Sequence, residues 1–194
     1  MAGIDRYGSH AADLDAHTRN PHEVMPLGTN YICPWFPMFT TTTLALTANR
    51  LYAMPFWVAR DITVDRIAIH VNTLADPSNI RLGIYNNGTN LYPGTCLLDA
   101  GVVSGATTGV KTIAINQSLT KGLYWLAAIS DATPTVRSYQ STFSLLGFDP
   151  ANFANQFVMW YVEQVYGALP NPFTAGGAVW NTPILVLCRG LSLD

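Results

Sequence analysis

The sequence predicts an all-β chain: a two-sheet, jelly-roll-like β-sandwich preceded by an extended N-terminal arm. Three observations lead there. Fifteen glycines and twelve prolines break the chain too often for long helices. Between those breaks recur short runs of β-branched and aromatic residues, several with strict apolar alternation. Composition also shifts near Gly28, from a polar segment to one rich in strand formers. The shift divides the chain into residues 1–29, an arm, and residues 30–194, a β-sandwich domain.

The arm carries His10, His17 and His22 with Asp5, Asp13, Asp15 and Glu23, and only isolated apolar residues. At most one short helix fits, from Ser9 as N-cap to Thr18, stopped before Asn20-Pro21. One or two turns with a single leucine do not hold together in water. Ordering each backbone residue costs about 1–2 kcal/mol, and this segment has little to bury in return. The arm is therefore expected to order against other chains, anchored by Leu14, His17, Val24 and Met25. The spacing of Asp13, Asp15 and His17 matches no ligand template, so neither a metal nor a cofactor is expected there.

The strands follow in order. "TTTTLALTA" opens the domain. In "DITVDRIAIHV", Ile62 and Val64 alternate, and then Ile67, Ile69 and Val71 alternate in the opposite phase. The break at Asp65-Arg66 predicts a bulge or bend. In "NIRLGIYNNGTNLYPG", Leu82 and Ile84 face the core while Arg81 and Tyr85 face outward or into a neighbouring sheet. A tight turn is expected at Asn86-Asn87-Gly88 and a type II turn at Pro93-Gly94. "CLLDAGVV", "GVKTIAI", "GLYWLAAIS", "QFVMWYVEQVY" and "PILVLCR" complete the set, while "STFSLLGFDPANFANQ" reads as a loop with a short helical turn. In "GLYWLAAIS", Tyr124 and Leu126 alternate with Leu123 and Trp125, so both faces are apolar. That strand should lie centrally or be covered by another chain.

The run from Arg81 to Ala128, with "RLGIY", "YPG", "LLDAG" and "LTKGLYWLA", resembles a β-sandwich module of bacteriophage virion proteins, fibres especially. The arm segment "HAADLDAHT" is similar to short segments that precede such modules in tail-fibre chains. Together the likeness covers about a third of the chain. It implies a virion structural protein of fibre or decoration type, assembled in the host cytoplasm. The arm would hold capsid or tail proteins and the sandwich would serve host-surface attachment. Threefold fibres with sandwich heads imply a homotrimer. The resemblance brings no catalytic residues with it.

Composition and motifs bear on the same choice. Charged residues make up 11% of the chain, against about a quarter in ordinary globular domains, which fits a surface largely covered by neighbouring subunits. Net charge is −2 with Lys and Arg scattered singly, so nucleic-acid binding is not expected. The N-terminus shows no apolar signal region, and no apolar run is long enough to insert in a membrane. Without a secretion signal, the sequons at Asn87 and Asn116 carry no weight. Cys33, Cys96 and Cys188 lack zinc-ligand spacing and read as reduced thiols.

No enzyme is expected. There is no GxSxG elbow, and His70 is the only histidine of the sandwich domain. Most of its acids, among them Asp61, Asp65, Asp76, Asp99, Asp131 and Asp149, sit at predicted turns. Glu163 stands inside an apolar strand, where a buried acid or an acid bonded to a neighbouring subunit is expected. Trp57, Trp125 and Trp160 should pack in the core or between subunits. Tyr139, Tyr166 and Trp180 flank loops and are the candidates for stacking on a host surface glycan. The alternative reading is a carbohydrate-binding module or lectin outside any virion; a third is a sandwich-fold glycosidase.

Overall fold

The computed structural model describes residues 31–32, 40–140 and 146–193. Fourteen strands lie among the described residues: β1 Tyr31–Ile32, β2 Thr40–Ala45, β3 Arg50–Val58, β4 Ile62–Thr73, β5 Asn79–Asn87, β6 Pro93–Ser104 and β7 Gly109–Leu119. They continue as β8 Gly122–Ser130, β9 Thr135–Gln140, β10 Phe148–Asp149, β11 Asn152–Gln156, β12 Met159–Glu163, β13 Ala178–Trp180 and β14 Val186–Leu193. No α-helix occurs among the described residues.

Residues 40–140 form one long hairpin rolled up on itself. The antiparallel pairs are nested: β5 with β6, β4 with β7, β3 with β8, and β2 with β9. Rolling places β2, β9, β4 and β7 in sheet A and β3, β8, β5 and β6 in sheet B. This is the jelly-roll connectivity that the sequence reading expected. The C-terminal strands then extend both sheets. β12 joins the open edge of β3 and β13 joins β12. β14 runs along Ile62–Ile69 of β4, leaving β9 paired to β4 only at Val71 and Thr73, and β1 closes on β14.

Between the sheets lies the main core. β4 behaves as its pattern predicts: Ile62 and Val64 point inward, the register shifts between Val64 and Arg66, and Ile67, Ile69 and Val71 point inward again. From sheet B, Tyr52, Met54, Phe56, Leu82, Ile84 and Leu126 meet them. β8 lies centrally between β3 and β5, as its two apolar faces require.

The cover over the second face of β8 comes from the same chain. Leu51, Ala53, Tyr85, Trp125, Ala127 and Ile129 form a separate apolar layer on the outer side of sheet B. A strap, residues 164–177, packs Leu169 and Phe173 onto it. The strap is tied by Gln164 N–H to Asn49 O, Leu169 N–H to Asp99 Oδ2, Tyr85 hydroxyl to Pro170 O, and Phe173 N–H to Gly94 O. Gly83 leaves room for it: a Cβ there would stand 2.2 Å from Leu169 Cδ1.

Four local expectations are corrected. The β5–β6 connection is a 3₁₀ turn at Thr89–Leu91, with positive φ at Asn90 and Leu91, while Gly88 has φ −98°. Pro93-Gly94 opens β6 and forms no type II turn. The described part of "STFSLLGFDPANFANQ" is a β10–β11 hairpin whose turn is held by Asp149 Oδ1 accepting Ala151 N–H. β3, absent from the strands read off the sequence, crosses the middle of sheet B despite Pro55. β12 pairs with β3 only from Arg50 to Ala53, so the proline stands where that edge has opened.

Candidate functional site

The acids of the sandwich are mostly structural ties. Asp61 accepts Lys121 N–H, Asp131 accepts the backbone and side-chain amides of Asn79, and Asp99 holds Arg81 at 2.8 Å. Asp65, at the β4 bulge, pairs with both the Nε and Nη2 groups of Arg189. Those hydrogen bonds hold its carboxyl below the usual aspartate range. Among the described residues no group of three or more His, Cys, Asp or Glu side chains could hold a metal ion. Cys96 and Cys188 are free thiols, and burial pushes Cys188 up to about 12.

His70 sits at a shallow apolar hollow of about 110 Å³ with Tyr31, Ala68, Val110, Leu185 and Leu187. Its Nδ1 lies 3.2 Å from Asn72 Oδ1, on the same face of β4 as expected. Among the described residues that line the hollow, only His70 and Tyr31 carry polar side-chain atoms.

A more chemically varied cluster lies where β3, β12 and β13 meet. Antiparallel register sets Glu163 opposite Arg50, Tyr161 opposite Tyr52 and Ala178, and Trp180 opposite Met159. Arg50 Nε donates to Glu163 Oε1 at 2.7 Å. Its guanidinium lies 4.5 Å from the Tyr161 ring centre and 6.0 Å from that of Trp180. Tyr161 and Trp180 meet edge to face at 5.3 Å. Burial works against the Arg50 cation, but its bond to Glu163 and the neighbouring tyrosines outweigh that and hold its pKa above the ordinary value. The four groups thus combine flat apolar surface with one fixed donor and one fixed acceptor.

The residues expected at a site fall apart in space. Leu14, His17, Val24 and Met25 lie outside the described residues. Tyr139 is no exposed platform: only 1% exposed, it lies in the main core on inner strand β9, with its hydroxyl toward Met54 Sδ. Tyr166 is half-buried in the strap, its N–H donating to Asn49 Oδ1. Trp180 packs toward the main core from edge strand β13, whereas Tyr166 packs on the outer layer, so the two occupy opposite faces of sheet B. Trp125 is buried in the core of the outer layer, Trp160 packs half-buried against it, and Trp57 is 37% exposed. Glu163, expected to be buried or bonded to a neighbour, has a 63% exposed side chain and takes its arginine from its own chain. Arg50 was not singled out in the sequence. The one signal was a lone glutamate in an apolar strand, because its partner is far away along the chain.

No helix among the described residues is long and apolar enough to cross a membrane. No protein-family model, curated protein or solved structure matches the chain.

Proposed function

We propose that the chain is a virion structural protein, of fibre or decoration type, anchored by residues 1–29 and presenting its sandwich outward for host-surface attachment. The observation that carries this reading is how the body is built. Its ion pairs and turn-capping acids hold strands together, and its strap of residues 164–177 covers part of the outer face of sheet B. Such a body is a rigid support, and rigid sandwiches position surface groups well. The arm joins it through β1, at an edge of sheet A. A tether entering at an edge leaves the opposite sheet clear for contact. The likeness of Arg81–Ala128 to virion modules supports the same assignment.

The test is chemical analysis of density-gradient-purified particles together with an arm deletion. The full chain should be a stoichiometric component of the particles. Deleting residues 1–28 should leave the sandwich folded but remove it from them. Absence of the full chain from particles, or assembly of the arm-deleted chain, overturns the reading. A second reading, a lectin outside any virion, is favoured by the Arg50–Tyr161–Trp180 cluster.

A further inference from the structure

We infer that the β3–β12–β13 margin is a saccharide site that takes a neutral pyranose ring. The inference rests on the attachment reading and names the ligand class at its contact point. Tyr161 and Trp180 form a fixed aromatic corner, and aromatic surfaces of this kind pack against the C–H face of a sugar. Beside the corner, Arg50 binds Glu163 Oε1 through Nε and Nη2, and the second carboxylate oxygen and Nη1 lie next to that bond. A pair of adjacent hydroxyls presents the matching acceptor and donor.

Charge selects among sugars. Arg50 and Glu163 neutralise one another, so a sugar carboxylate would meet the Glu163 charge and compete with it for Arg50. A neutral ring meets neither penalty. Preorganisation favours the same site: Arg50 is already held by Glu163 and stacked over Tyr161, so little rotamer freedom remains to be lost on binding. Glu163 is mostly in solvent, so the pair adds little to the stability of the fold. Exposed Asn181 follows Trp180 directly and gives the site a polar rim.

The experiment is calorimetric and NMR titration of the full chain with glucose, galactose, mannose and N-acetylglucosamine, with glucuronic and sialic acids as acidic probes. At least one neutral sugar should bind, and Trp180→Ala and Glu163→Gln should each weaken it by about tenfold or more. Thr112→Ala, in sheet A, should bind as the parent does. Because Trp180 touches the core, thermal melts accompany each variant; Glu163→Gln, at an exposed position, keeps the test valid if Trp180→Ala fails to fold. Binding of no neutral sugar, binding of the acidic probes alone, or binding unchanged by Glu163→Gln overturns the site. A chain found on particles that binds none of these sugars defeats the site and leaves the virion reading. A chain absent from particles that binds a neutral sugar through Trp180 does the reverse.

Discussion

Trp125 shows how a polar atom survives inside an apolar layer. The side chain is fully buried, and its indole N–H donates to Asn87 Oδ1 at 3.0 Å. Trp125→Ala should cost about 3–5 kcal/mol in urea unfolding, the range for a large buried aromatic. Trp160→Ala should cost less, because Trp160 is half-buried and keeps its N–H on Leu91 O at the surface of the layer. Equal costs would mean that the outer layer is packed differently. Asp65 supplies a pH-dependent test. The Arg189 hydrogen bonds, chiefly, hold its carboxyl below the ordinary value, so its stabilisation is complete above the unfolded pKa of about 3.9. It disappears as pH falls through the lower, folded value. The stability gap between the parent and Asp65→Asn, measured by denaturant titration, should therefore be constant from about pH 7 to 5 and close in stronger acid. A gap that persists unchanged into strong acid would remove the ion pair as its source.

The elements differ in how far they can be read from sequence. β4 was legible to its bulge, because one half-turn of phase between Val64 and Ile67 moves every inward residue. β3 was not, because both of its faces are covered, its apolar run has no alternation, and Pro55 argues against a central strand. The strap was illegible for another reason: Leu169 and Phe173 sit among Gly and Pro, and only the folded sheet shows what they cover. Tyr92 is its clasp. The hydroxyl donates to Thr174 O at 2.6 Å and accepts Gly177 N–H at 2.9 Å, while the ring meets Trp160 and Phe173 edge-on. Tyr92→Phe keeps the ring and removes both bonds. It should cost about 1–3 kcal/mol and speed hydrogen exchange across residues 164–177, with β4 and β8 unaffected. Uniform acceleration through both sheets would show that the strap does not open as a separate unit.

At the scale of the whole molecule, the two-sheet roll was readable because its turns and alternating strands agree. The expected grouping of Tyr139, Tyr166 and Trp180 does not form, because it depended on which side of each strand meets the core. Tyr139 and Trp180 looked alike in sequence, yet one lies on an inner strand and the other on an edge. Beside the likeness to threefold fibres, the expectation of a homotrimer had two physical supports. One, the doubly apolar strand β8, is met inside the chain by the strap. The other, a chain with few charges, remains. Light scattering on the purified chain should give three times the chain mass. A stable monomer at micromolar concentration would end the trimer proposal.

The position of β14 has a consequence for how the chain is made. Its partner segment in β4 is translated long before it, and among the described strands no other fills that lane beside Ile62–Ile69. Until residues 186–193 leave the ribosome, β4 presents a bare row of peptide groups flanked by some of the most apolar residues in the molecule. Closing so long a loop is slow. The nascent chain therefore passes through an interval in which it is prone to aggregate, and a stop codon or a bulky fusion just before β14 should turn that interval into its final state.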